Sequence, residues 1–148
     1  MADSEPQFLL PAPDDDSGPF WDGCARGELL VQACDACGLR RIPPRPMCPN
    51  CRSFDVRWEA VSGRGTIWSF VVAHPPLLPA YAAVAPYNVV VVALDEDPTL
   101  RMVGNVVTAA DAPLDSIDPS TIEIGERVQV VFASPIDDIA MPRWVRVG

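Results

Sequence analysis

The chain has 148 residues, 49% of them hydrophobic, and a formal net charge of −9. That length suits one compact unit or two small ones. So acidic a chain lacks the surplus of cations on which general nucleic-acid affinity rests. Its longest apolar run, residues 88–94, is far too short to span a bilayer.

The charge is unevenly spread. Residues 1–23 carry six acids and no base, residues 24–64 seven arginines against four acids, and residues 65–148 ten acids against four arginines. The middle segment is the one relatively basic region. Lysine is absent, which removes any Schiff-base mechanism.

Residues 1–16 read as a tail, mixing proline, acids and scattered apolar residues without a period. Phe8, Leu9 and Leu10 stand out there as a group suited to docking on this chain or on a partner. The acidic start has none of the basic and apolar regions of a signal peptide, so a cytoplasmic protein is expected. A helix is predicted over residues 19–27. Ser17 and Gly18 are placed to cap it, Pro19 suits its first turn, and Gly27 ends it. Phe20, Trp21 and Cys24 form one apolar face. So short a helix must pack that face on the following segment or on another subunit.

Residues 28–33 lead as a strand into Cys34-Asp35-Ala36-Cys37-Gly38, and residues 39–42 are its predicted partner. Pro43, Pro44 and Pro46 stiffen the return loop and remove backbone donors. The second knuckle is Cys48-Pro49-Asn50-Cys51. Two Cys-x-x-Cys turns supply four thiolates, Cys34, Cys37, Cys48 and Cys51, the ligand set of a closed structural zinc site. A redox motif carries one such pair, and a disulfide framework needs export. Iron binds the same four sulfurs and stays open. Residues 53–61 leave as a strand with Phe54, Val56, Trp58 and Ala60 alternating.

The remainder reads as all-β. Residues 62–65 turn, and residues 66–74 form a strand with Ile67, Ser69, Val71 and Ala73 on one face. Residues 75–86 are a long loop, whose apolar stretch 77–84 suits an acyl channel, an interface or a cover for the domain's own core. Residues 87–94 are a core strand, 95–98 a hairpin turn and 100–107 the returning strand. Residues 111–121 form an acidic connector, and strands follow at 127–132 and 143–147. Five strands with a long excursion between the first two fit a small OB-type barrel, though a small sandwich shows similar spacing. The fold class expected is mainly β: a tail (1–16), a helix with a four-cysteine zinc ribbon (17–61) and an OB-fold barrel (62–148).

Several of these residues, in their order, resemble a known family. Phe20-Trp21, Leu30-Val31-Gln32, Cys34-x-x-Cys37-Gly38, Pro43-Pro44-Arg45 and Cys48-Pro49-x-Cys51 resemble a rubredoxin-like zinc ribbon. Ser62-Gly63-x-Gly65-Thr66-Ile67, Pro86-Tyr87 and Leu94-Asp95-Glu96 resemble the OB-fold attached to it. The chain as a whole is similar to the DUF35 family, the acyl-CoA-associated OB-fold proteins. One departure is Asp97-Pro98, where many members carry glycine. The resemblance implies an accessory subunit of a thiolase-superfamily enzyme acting on CoA thioesters. Thiolases, lipid-transfer-protein-like aldolases and hydratases of steroid side-chain degradation are the partners it suggests.

The residues agree with a non-catalytic role. His74 is the one histidine and stands beside Pro75-Pro76. Four of the five cysteines are taken by metal, and a site filled by four sulfurs has no position left to activate water. Binding is the better role. Arg40, Arg41, Arg45 and Arg64 are candidate contacts for the phosphates of acyl-CoA, and Trp68 for stacking on its adenine. Asp35, Asp55 and Glu59 compete for the same arginines. A hetero-oligomer with no nucleic acid and no membrane is expected; the rival is a single-stranded nucleic-acid binder, a use that OB-folds also serve.

Overall fold

The computed structural model describes residues 7–148, so the first six residues of the predicted tail lie outside the described residues. The rest of the tail rests on the chain itself. Phe8 meets Tyr81 edge-on at 4.8 Å, and the Leu9 N–H donates to the Tyr81 hydroxyl at 3.0 Å.

Helix α1 (Gly18–Ala25) begins with proline in its first turn, as predicted. Ser17 does not cap it. Its hydroxyl donates instead to Asp14 Oδ1 at 2.9 Å, and the same oxygen accepts the N–H groups of Asp16 and Ser17. Asp14 therefore shapes the entry turn. Gly27, at φ 77°, ends the helix in the left-handed region that glycine tolerates.

Strand β1 (Leu29–Cys34) is the centre of a three-stranded antiparallel sheet, with β2 (Arg40–Arg41) on one side and β3 (Val56–Val61) on the other. The second sheet is antiparallel and five-stranded. Its strands are β4 (Arg64–Ala73), β5 (Tyr87–Leu94), β6 (Arg101–Gly104), β7 (Arg127–Phe132) and β8 (Pro142–Arg146), in the order β6-β5-β4-β7-β8. A parallel bridge between Val106 and Trp144 joins the two edges. The Trp144 N–H donates to Asn105 O at 2.9 Å, and the Val107 N–H to Trp144 O at 2.8 Å. The sheet is thereby closed, which makes it a barrel and not a sandwich.

The returning strand β6 stops at Gly104, short of the predicted 107. Buried Asn88 is the reason. Its side chain accepts the Val106 N–H at 2.7 Å and donates to Val106 O at 2.9 Å, replacing a strand neighbour. Trp144 then lies so close to Gly104 that a Cβ there would sit 2.7 Å from the indole nitrogen.

The alternation predicted for β4 fails beyond Ile67. Ile67 pairs with Val92 but Ser69 with Val91, so Trp68 is the extra residue of a β-bulge. The phase shifts there. Phe70 packs on the core, and Val71 is 62% exposed. The 75–86 loop contains a short helix, α2 (Pro79–Ala82), with Ala80 buried and Leu78 exposed. The 95–98 turn forms without glycine because Asp97 Oδ1 accepts from the Thr99 N–H and hydroxyl, at 2.9 and 2.7 Å.

One hydrophobic core serves both sheets. Leu29 and Val31 of β1 pack in the same cluster as Ile67, Val90, Val92, Val128 and Trp144 of the barrel. The approach is close at Gly65, where a Cβ would lie 2.4 Å from Val92 Cγ1 and 2.6 Å from Ala93 O.

Candidate metal centre and docking groove

Four cysteines meet at the end of the three-stranded sheet. Their sulfurs all lie within 4.8 Å of one another. Cys34 and Cys51 are 3.5 Å apart, Cys37 and Cys48 3.7 Å. Zn–S bonds of about 2.3 Å in a tetrahedron give S···S edges of roughly 3.8 Å, so the cage fits zinc.

Both knuckles close alike. The Gly38 N–H donates to Cys34 O and the Arg52 N–H to Cys48 O, each at 2.9 Å. Each closing residue is left-handed, Gly38 at φ 80° and Arg52 at φ 67°. The second knuckle thus places an arginine where the first has glycine. The Cys37 N–H, 3.4 Å from Cys34 Sγ, leads the interactions that pull the Cys34 thiol down to about 6. Cys37 is lowered too, by the Leu39 amide first and then by Asn50, whose Nδ2 donates to its sulfur at 3.6 Å. Such amide donation favours the thiolate that a metal needs. Cys24 is different: it lies on the buried face of α1, and burial pushes its thiol up to about 12.

The candidate CoA contacts fall in several surroundings. Arg40 Nε donates to Glu59 at 2.8 Å. Arg41 is buried; its Nε donates to Gln32 Oε1 at 2.6 Å and its Nη2 to Arg45 O at 3.1 Å. The Arg45 N–H closes that latch by donating to Gln32 Oε1 at 2.8 Å. The side chains of Arg45 and Arg64 are exposed, with no carboxylate partner among the described residues. Trp68 is half exposed and covered by Arg101. His74 is exposed at the end of β4.

An apolar groove of about 250 Å³ lies between α1 and the ribbon. Phe20, Trp21, Leu30, Ile42, Trp58 and Met102 line it. Alongside, the outward face of the ribbon exposes Phe54 (70%), Met47 and Val56. Alternation along residues 53–61 showed which residues share that face, but not that it points to solvent. Gln32 also escaped the sequence reading; a lone amide inside the apolar run of β1 was the available signal.

Closed sulfur cage, ribbon sheet and five-stranded barrel together define a zinc-ribbon and OB-fold protein. Residues 21–57 match the family model for the rubredoxin-like zinc ribbon domain of ChsH2, and residues 58–133 that for its C-terminal OB-fold domain. The chain belongs to the DUF35 family, in its ChsH2 form.

Relatives agree on this. The probable enoyl-CoA hydratase alpha subunit of Thermomonospora curvata is 34% identical over 146 residues, covering 96% of this chain and 41% of that protein. The 3-oxo-4,17-pregnadiene-20-carboxyl-CoA hydratase alpha subunit of Mycobacterium tuberculosis is 32% identical over 143 residues, covering 96% of this chain and 40% of that one. The chain thus spans about two fifths of each hydratase subunit. A DUF35 domain-containing scaffold protein of Methanothermobacter thermautotrophicus is 34% identical over 72% of this chain and 73% of its own length. Among solved structures, the Ltp2–ChsH2(DUF35) aldolase superposes with a TM-score of 0.78 at 33% identity, over 93% of this chain and 98% of that one. No helix among the described residues is long and apolar enough to cross a membrane.

Proposed function

We propose that this chain is a non-catalytic accessory subunit that docks on and activates a thiolase-like enzyme, an aldolase or thiolase acting on CoA thioesters. The observation that carries this is the likeness to the DUF35 chain of the Ltp2–ChsH2 aldolase, which covers nearly all of both chains. The relatives named as scaffold proteins and as hydratase alpha subunits support it. The pregnadiene carboxyl-CoA in one relative's name supports steroid side-chain degradation as the setting.

Zinc, held by Cys34, Cys37, Cys48 and Cys51, supplies no reaction chemistry here; it fixes the two knuckles. The groove beneath Phe20 and Trp21, with exposed Phe54 beside it, is the docking face: aromatic, apolar and concave. Arg45 and Arg64 remain the candidate phosphate contacts for a CoA thioester, since Arg40 and Arg41 are engaged within the ribbon.

Co-expression with a thiolase-superfamily aldolase tests this. The expected result is a stable complex with retro-aldol activity, weak activity of the aldolase alone, and none of this chain alone. Trp21→Glu is expected to abolish co-purification with zinc content unchanged. Turnover by the isolated chain, or failure to form any such complex, overturns the proposal.

A further inference from the structure

We propose that a second cavity, on the barrel, binds an amphipathic carboxylate: one carboxyl group on an apolar chain or ring. The cavity is an open cleft of about 270 Å³, lined by barrel residues and the arm at Phe8 and Leu9. It exceeds the roughly 150 Å³ of an apolar cavity that takes up benzene. Its walls, Val89 and Met141 among them, are mainly apolar.

Two groups in this lining keep donors to spare. Tyr87 is 8% exposed, and its hydroxyl makes no hydrogen bond among the described residues. Arg143 is half-buried and gives only Nη1 to the protein, to Asn105 Oδ1 at 2.8 Å. No carboxylate lies within 4.0 Å of its guanidinium among the described residues. The Tyr87 hydroxyl and the remaining guanidinium N–H groups of Arg143 are therefore free to donate to a ligand that enters the cavity. Burial pulls Arg143 below the usual guanidinium range and holds Tyr87 above the usual phenol range, so Tyr87 keeps its proton and donates.

A carboxylate has the lone pairs to accept from a guanidinium and a phenol together, and it matches one positive charge. A phosphate monoester brings up to two negative charges against one guanidinium. An alcohol of the same chain fills the apolar space but leaves the charge unmatched. The arm that forms one wall is held at Tyr81 by a backbone hydrogen bond and an edge contact. This site shares none of its residues with the docking groove, and it does not rest on the function proposed above.

The test is calorimetric titration of the full-length, zinc-loaded chain with sodium octanoate, 1-octanol and octyl phosphate. Octanoate is expected to bind about tenfold more tightly than octanol, the usual size of one charge-assisted pairing. Octyl phosphate is expected to bind more weakly than octanoate. Tyr87→Phe, which preserves packing, and Arg143→Gln are each expected to remove most of the octanoate preference and leave octanol binding unchanged. Thermal melts check that both variants fold. Equal binding of octanoate and octanol, tighter binding of octyl phosphate, or no binding at millimolar concentration overturns the assignment.

Discussion

The Arg101 guanidinium lies 3.7 Å from the centroid of the Trp68 ring, at the bulge that resets β4. The residue suited by type to stack on adenine is thus already stacked under a cation from β6, two strands away in the sheet. Trp68 is half exposed, so the contact is worth about 0.5–1 kcal/mol. Arg101→Ala is expected to cost that much in denaturant melts and to shift the tryptophan emission to the red. If Trp68 does meet a nucleotide, CoA quenches the emission of the wild type and leaves Trp68→Leu unchanged.

Removing the metal is expected to unsettle more than the ribbon. Leu29 and Val31 reach the barrel core from the strand that ends in Cys34, so loosening the knuckles loosens that core. Elemental analysis is expected to find one zinc per chain. Chelation is expected to lower the melting temperature of a single calorimetric transition, and Cys48→Ser to do the same without chelator.

Gln32 holds the buried Arg41 and the Arg45 N–H with one oxygen. Gln32→Leu strands both donors inside the protein and is expected to cost about 2–4 kcal/mol. Arg40→Ala breaks a half-exposed pair with Glu59 and is expected to cost only about 0–1 kcal/mol. Chemical denaturation of the two variants side by side checks the ranking.

Gly65→Ala places a methyl group against the Ala93 backbone and Val92, neither of which has room to yield. A loss of about 2–3 kcal/mol is expected. Gly18→Ala, with nothing within 4 Å of its added methyl, is the control expected to change little.

The pair Arg127–Asp95 links β7 to the β5–β6 turn and makes part of the stability pH-dependent. Hydrogen bonding from Arg127 holds the Asp95 carboxyl below its ordinary value. A depressed carboxylate contributes above its unfolded pKa of about 3.9 and loses the contribution as pH falls through the folded value. Melting temperatures of wild type and Asp95→Asn are therefore expected to differ at pH 7 and to draw together as pH falls below about 3.9.

The cysteine cage was legible in the sequence because four thiols at fixed spacing have few other uses. The barrel strands were legible through their apolar alternation and turns. The Trp68 bulge was not, because one inserted residue leaves the local pattern intact while reversing which side faces in. Glu59 was legible as a competitor for the arginines, but not that Arg40 is one it takes. Arg40 pairs with Glu59 across β1, a reach that depends on three strands in register with small Ala33 between Arg40 and Arg57. The arginines could be counted from sequence, but their neighbours are set by tertiary pairing.

A strand that belongs to two bodies leaves no hinge between them. Because β1 carries a sulfur ligand at one end and core side chains along its length, the metal finger cannot swing independently of the barrel. Cutting the chain after Val61 to express the halves apart would strip a wall from the barrel interior. Any partner that grips the finger accordingly holds the whole chain at a fixed angle, as a bracket would.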